Sequence, residues 1–173
     1  MSVAIVVGNP KPRSRTWQAA HLVAGKLAGQ PADLSVDLVD FGAALLDWAD
    51  QQVAETIAAV AASDLLIVAS PTYKATYTGL LKLFLDRISG GALAGVTAVP
   101  LMLGGDWRHS LAADMLLKPV LVELGATCPT RGLFLVDTDY AESEVLDTWL
   151  ELSRPQLQHH LPLVKPSSRE KRC

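Results

Sequence analysis

Four short apolar runs punctuate the chain: Val3–Gly8 (VAIVVG), Leu65–Ser70 (LLIVAS), Val96–Leu103 (VTAVPLML) and Leu133–Asp137 (LFLVD). None alternates polar with apolar, and continuous β-branched runs of this length predict strands buried on both faces. Ser35–Phe41 (SVDLVDF) does alternate, as an edge strand with one wet face does. Between these runs, apolar residues recur at helical spacing. They are Trp17, Ala20, Ala24 and Leu27, then Val53, Ile57 and Val60, then Leu80, Leu83 and Phe84. Leu116, Leu117, Val120 and Leu124 follow, and Val145, Trp149 and Leu152 come last. The order β-α-β-α-β-α-β-α-β-α predicts a parallel sheet with helices on both faces. An alternating edge strand placed second favours a doubly wound five-stranded α/β sheet of strand order 2-1-3-4-5. Pro100 is awkward inside the fourth strand, where a central proline loses a ladder hydrogen bond, so a lost bond or a bulge is expected there. In such sheets ligands bind outside the carboxyl ends of the strands, at the switch between β1 and β3. The loops after Gly8, Ser70 and Leu103 are therefore the ones to read.

Composition narrows the classes. The chain has 173 residues, 50% hydrophobic and 19% charged, which excludes a disordered chain and fits one domain. That domain is expected over residues 1–163, followed by a polar, basic, flexible tail at 164–173. Fifteen Lys and Arg against 18 Asp and Glu give a net charge of −3, which argues against a general nucleic-acid binder. The charge is uneven. Lys11, Arg13 and Arg15 stand among the first 16 residues with no acid, whereas no cation lies between Lys26 and Lys74. The early loop is a basic island in an acidic protein. The opening SVAIVVG has no basic flank and no cleavage site, and Asn-Pro-Lys-Pro ends it, so it does not read as a signal peptide. With no run near the roughly 18 apolar residues of a membrane span, a cytoplasmic location is expected. Cys128 and Cys173 offer no disulfide framework and read as reduced thiols.

The first loop, Gly8-Asn-Pro-Lys-Pro-Arg-Ser-Arg-Thr16, leads into a helix. Asn9, Lys11, Arg13, Ser14, Arg15 and Thr16 supply cations and hydroxyl or amide groups at the positive end of that helix, a combination suited to a phosphate dianion. The glycines of GxxxxGKS/T and of GxGxxG are missing, so a terminal monophosphate fits better than a pyrophosphate. The plain alternative is a solvated loop with Ser14 or Thr16 as helix cap. The second loop, SPTYKATYTG at 70–79, brings Pro71, Thr72, Tyr73 and Lys74 to a strand end, where a flat ring could pack with backbone amides at its polar edge. Tyr73 and Tyr77 could equally be packing residues. In the third loop, Gly104 and Gly105 allow close backbone approach, and Asp106 and Arg108 follow. Asp106 could also be a simple helix cap. Arg108 is the only Lys or Arg of that loop. No His/Cys set has zinc-like spacing, and no Ser sits in a GxSxG elbow, so neither a metal site nor an α/β-hydrolase is expected.

Three segments carry a family resemblance: GNPKPRSRT at 8–16, SPTYKATYTGLLKLFLD at 70–86 and GGDWRHSLAADMLLKPVLVELGA at 104–126. Residues 1 to about 160 resemble the NADPH-dependent FMN reductases of flavodoxin-like fold, and most closely those of sulfonate utilisation. The first segment resembles the family's G-S-P-R-x-x-S-R-S/T loop, with Asn9 where Ser is usual and Lys11 where Arg is usual. The resemblance implies FMN held by these three loops, reduction by NADPH or NADH, and assembly into a homodimer or homotetramer. It also implies delivery of reduced flavin to a partner monooxygenase. Close sulfonate-type relatives carry Tyr where this chain has Met115. In the family that position goes with a helix irregularity at the subunit interface and with release of flavin as a product. The substitution leaves open whether FMN is a diffusing substrate or a retained group.

Hydride transfer asks little of side chains, because the cofactors carry the chemistry and the protein orients them. No residue is therefore assigned a catalytic role. Two other readings stand beside the FMN reductase: an FMN-retaining reductase of quinones, azo dyes or metal ions, and a flavodoxin-like electron carrier. Lys11, Arg13 and Arg15 count against the carrier, whose phosphate loops are cation-poor. The helix expected over 109–124 is apolar on several faces, at Leu111, Met115, Leu116, Leu117, Val120, Leu121 and Leu124, so one face is expected to meet a second subunit.

Overall fold

A computed structural model describes residues 1–161 of the chain. The tail expected at 164–173, with Cys173, lies outside the described residues. Five parallel strands form one sheet in the order β2-β1-β3-β4-β5, as the pattern predicts. They are β1 (Val3–Val7), β2 (Leu34–Asp37), β3 (Leu65–Pro71), β4 (Thr97–Gly104) and β5 (Leu133–Val136). The helices are α1 (Arg15–Ala28), α2 (Gln51–Ala61), α3 (Gly79–Leu85), α4 (Lys118–Glu123) and α5 (Glu144–Gln158).

Every residue of β1, β3 and β4 is buried, because helices cover both sheet faces. Alternate strand residues therefore feed two cores. Ala4, Val6, Leu66 and Val68 join Val53, Leu81 and Phe84 on one side. Val3, Ile5, Leu65 and Ile67 join Ala20, Val23, Trp149 and Leu157 on the other. This is why these strands show no polar–apolar period.

The edge strand is shorter than Ser35–Phe41. Its ladder runs only from Ala4↔Leu34 to Val7↔Asp37, because β1 turns away at Gly8 and leaves nothing to pair with. Leu38–Leu46 folds instead into two tight 3-10 stretches broken at Gly42, whose φ is 52°. Pro100 causes no bulge, since β3 and β4 stay in register from Leu65↔Thr97 to Pro71↔Leu103. Ala98 N–H donates to Thr127 O, toward the β5 side, and Pro100 shares that parity. Pairing with β5 starts only at Leu101↔Leu133, so the missing donor faces a stretch where no strand lies alongside.

Helix faces are rotated from expectation in several places. Leu81 rather than Leu83 fills the core under α3, and Leu83 and Leu116 are exposed. In α5, Leu146, Trp149, Leu150 and Leu157 face inward, while Val145 and Leu152 face out. The single helix expected over 109–124 is three pieces: a 3-10 turn at Trp107–His109, a π-helical turn at Ala113–Leu117, and α4.

One contact sets the depth at which α3 sits. A Cβ on Gly8 would lie 2.4 Å from Leu81 Cβ and 2.9 Å from Leu81 Cα. Gly8 also donates its N–H to Ala69 O at 2.8 Å, so neither side can retreat cheaply. Gly8→Ala is expected to destabilise the fold by about 1–3 kcal/mol, as overpacking does. A lowered denaturant midpoint with an unchanged slope is the expected result, and an unchanged midpoint would contradict this packing.

Candidate functional site

The carboxyl ends of β1, β3 and β4 release three loops side by side, and buried hydrogen bonds join them. Thr78, the N-cap of α3, accepts Leu81 N–H at 3.1 Å and donates its hydroxyl to Gly8 O at 2.5 Å. Thr78 N–H donates to Ser70 Oγ at 3.0 Å, and Ser70 Oγ donates to Pro71 O at 2.8 Å. Loops one and two thus share one buried knot. Thr72 N–H donates to Leu103 O at 2.6 Å and so ties loop two to loop three. Asp137 N–H donates to Gly104 O at 2.9 Å, and Asp137 Oδ2 accepts Arg15 Nη1 at 3.1 Å, which returns the circuit to loop one.

Loop one presents its polar groups at the start of α1. Ser14 is the N-cap, accepting Trp17 N–H at 3.3 Å. Asn9, Ser14 and Thr16 are all buried. Asn9 Nδ2 donates to Thr16 Oγ1 at 3.1 Å, and Asn9 Oδ1 accepts Lys11 N–H at 2.9 Å, so one amide pins both ends of the loop. Lys11 and Arg15 stay exposed.

Arg13 has partners the sequence did not suggest. Its backbone N–H and Nη1 both donate to Asp37 Oδ2 at 2.9 Å, and Nη2 donates to Asp40 Oδ2 at 3.0 Å. Its guanidinium also lies 4.6 Å above the Trp17 ring. Asp40, then Asp37, raises the Arg13 pKa above its ordinary value. Arg13 adopts φ 47°, unfavourable for a residue with a Cβ, and the Asp37 carboxylate holds it there. Arg13 is a clip that shapes the loop, rather than a cation free for a ligand.

Loop two contains a two-residue turn. Tyr73 and Thr76 exchange N–H···O bonds of 2.9 and 3.2 Å, with Lys74 at φ 52° and Ala75 at φ 71° between them. Both conformations favour glycine, and non-glycine residues there cost on the order of 1–3 kcal/mol each. Strain of this size persists where the surroundings fix it, and it presents the half-exposed Tyr73 at the rim. Below the rim, Pro71 is buried and the Thr72 hydroxyl is buried without any partner. A Cβ on Gly104 would lie 2.6 Å from the Phe134 ring and 3.5 Å from Thr72 Oγ1, so only a glycine lets that ring pack in beside the hydroxyl.

Loop three continues through exposed Gly105 to Asp106, the cap of the 3-10 turn. Asp106 accepts Arg108 N–H at 2.9 Å and grips the guanidinium at 2.6 to 3.0 Å through both oxygens. The Arg108 side chain, then its N–H, lowers the Asp106 pKa to about 2, so the pair stays ionised at neutral pH. Arg108 therefore starts from a carboxylate partner.

The π turn beyond has a local cause. Lys118 N–H donates to Ala113 O, five residues back. Pro119 follows without an N–H, and its ring would strike the carbonyl of Met115 in a regular α-helix. The wider turn relieves that clash. Asp114 Oδ1 accepts Gly132 N–H at 2.7 Å, and Lys118 Nζ donates to Thr130 O at 2.6 Å, which fastens the turn to the chain entering β5. Met115 tops it, 67% exposed. The irregular turn thus forms here with methionine at its crown. An adjacent cleft of about 430 Å³ runs between this turn, β5 and α5. It shares Trp107 with loop three and takes nothing from loops one and two.

Burial pushes the Cys128 thiol up to about 11, which keeps it protonated near neutral pH. Among the described residues, no three His, Cys, Asp or Glu side chains gather as a metal-ligand set, and no helix is long and apolar enough to cross a membrane.

Comparison with known proteins gives a consistent result. The family model described as NADPH-dependent FMN reductase matches residues 1–141. An FMN reductase (NADPH) of Escherichia coli K12 is 34% identical over 171 residues, 96% of this chain and 82% of the relative. The NADH-dependent FMN reductase SfnF of Pseudomonas putida is 31% identical, over 98% of this chain and 86% of its own. The crystal structure of an NADH:FMN oxidoreductase (EMOB) in its apo form superposes with a TM-score of 0.83 at 32% identity, covering 97% of this chain and 93% of that one.

The orphaned hydroxyl yields a test. Thr72→Val keeps the shape and removes an unsatisfied buried group, a change that is neutral to stabilising by about 1 kcal/mol in the ligand-free protein. A clear loss of stability on denaturant unfolding would show that the hydroxyl is satisfied within the fold.

Proposed function

Because the chain belongs to the NADPH-dependent FMN reductase family, we propose that its three loops hold FMN, with the phosphate at the start of α1 and the ring over loops two and three. The chain is an NAD(P)H-dependent FMN oxidoreductase of flavodoxin-like fold. The observation that carries the site assignment is the convergence of two unlike features on one sheet edge. Buried polar groups and open helix N–H donors gather at the start of α1. At the ends of β3 and β4, Gly104 lies beside the unpartnered Thr72 hydroxyl, with no side chain of its own. The first suits a phosphate dianion and the second the polar edge of a flat ring.

When bound, FMN supplies the hydride-accepting ring and the nicotinamide nucleotide supplies the hydride. The residues of the chain bind and orient. Ser14, Thr16, Asn9 and the α1 N–H groups face the phosphate, with Arg15 and Lys11 as exposed cations. Arg13 keeps the loop in shape through Asp37. Thr72 offers its hydroxyl, Gly104 and Gly105 admit the ring, and the backbone of Tyr73 and Lys74 borders it. Pro71 fixes the strand exit beneath. Arg108, loosened from Asp106, is the cation available to a nucleotide phosphate. No side chain need move a proton, so no catalytic acid or base is assigned.

The exposed apolar residues Leu111, Met115, Leu116 and Val122 lie on and beside the π turn and support a second copy of the chain as partner. The assembly is at least a homodimer, and the reduced flavin passes to a partner monooxygenase. A cytoplasmic location accords with both.

Arg15→Ala is expected to weaken FMN binding by about 1.5–3 kcal/mol, the worth of a charge-assisted hydrogen bond, and to leave riboflavin nearly untouched. Fluorescence titration of both flavins tests this, and equal losses for the two would remove the phosphate assignment. Light scattering at micromolar concentration should return a dimer or larger. Met115→Asp should dissociate it, since an unpaired carboxylate in an apolar interface is costly. A wild-type monomer that turns over NADPH with FMN would reject the interface.

A further inference from the structure

Two of the three cations of loop one are not free in the fold, and the way they are occupied bears on how long a flavin stays. They meet three carboxylates: Arg13 meets Asp37 and Asp40, and Arg15 meets Asp137. Among the ion pairs of the described residues, Lys11 has none.

The two arginines are held very differently. Arg13 is gripped at its backbone and guanidinium by Asp37, whose side chain is 0% exposed, then by Asp40, and it stacks on Trp17. That clip cannot open without unmaking the loop. Arg15 makes one side-chain bond of 3.1 Å, with its side chain 60% exposed and that of Asp137 36% exposed. Single exposed pairs of this kind are weak and exchangeable. Arg15 is also the first residue of α1, so its side chain leaves the chain at the helix end where the phosphate is placed. Asp137 sits at the end of β5, its backbone fixed by its own N–H to Gly104 O.

We infer that Asp137 is a counter-ligand of Arg15 that competes with the FMN phosphate and thereby speeds flavin release. This rests on the reading that loop one holds the phosphate. A dianion arriving at α1 must either draw Arg15 off Asp137 or share it with a carboxylate that repels it. Asp137 in turn recaptures the arginine as the phosphate leaves. The exchange is one of hydrogen bonds and charge alone, with no covalent step. It assigns to this acid the tuning of FMN toward a diffusing substrate rather than a retained group.

The test is Asp137→Asn, which keeps size and backbone bonding and removes the charge. FMN should bind about two- to fivefold tighter, the scale of an exposed pair, and should leave correspondingly more slowly in stopped flow. Riboflavin, with no phosphate, should be unchanged. In an Arg15→Ala background the gain should vanish. Asp137→Ser, checked for an unchanged melting midpoint, guards against an effect peculiar to the amide. If Asp137→Asn weakens FMN binding or leaves it unaltered while Arg15→Ala still weakens FMN selectively, the competition is overturned and the phosphate site stands. If Arg15→Ala fails to separate FMN from riboflavin, the phosphate reading falls, and this inference with it.

Discussion

The Thr78 hydroxyl is the joint on which the site depends. It donates to Gly8 O and accepts Leu81 N–H in a buried place where neither group could find water. An unmade bond there would cost the full desolvation of a buried polar group, about 1–3 kcal/mol. The same contact requires a glycine at position 8, since α3 comes too close for any Cβ. Loop one and loop two are therefore not independent segments resting on a scaffold. Their spacing is set by one hydroxyl and one missing side chain, and the start of α1 inherits its position from that spacing.

A second constraint is electrostatic. The sequence shows a basic island, and a basic island alone suggests a loop waiting for an anion. The fold brings acids to it from β2, from the stretch after β2 and from the end of β5. The result is a loop with its shape fixed by an internal clip and most of its positive charge already partnered. What it still presents are the directed N–H and hydroxyl groups at the start of α1, which do not depend on free cations.

The sheet was legible because burial on both faces writes itself as unbroken apolar runs, and β1, β3, β4 and β5 followed those runs to within a residue or two. The edge strand was less so, since its length is set by where β1 stops rather than by its own alternation. Helix faces failed where several apolar residues compete, as with Leu81 against Leu83. At the site, the candidate residues of all three loops do gather at one sheet edge. What local reading could not supply was partnership across distance: Asp37 lies 24 residues from Arg13, and Asp137 lies 122 from Arg15. Thr78 was missed although a Thr before a Gly-Leu-Leu helix start is an N-cap signal. Pro119 stands in the second position of α4, where a proline is an ordinary helix-start residue, so the sequence gives no sign of the wide turn before it.

These features bear together on what methionine at position 115 does. If an aromatic residue at position 115 were needed to form the wide turn, the turn would be lost here. It persists, with a proline to open it and Asp114 to fasten it to the entrance of β5. The turn is therefore a backbone property of this chain that needs no aromatic side chain at position 115. An exposed aromatic there could stack on a flat ligand or a partner ring, whereas methionine offers a flexible, polarizable apolar surface. The difference falls on the surface that residue 115 offers rather than on the helix itself.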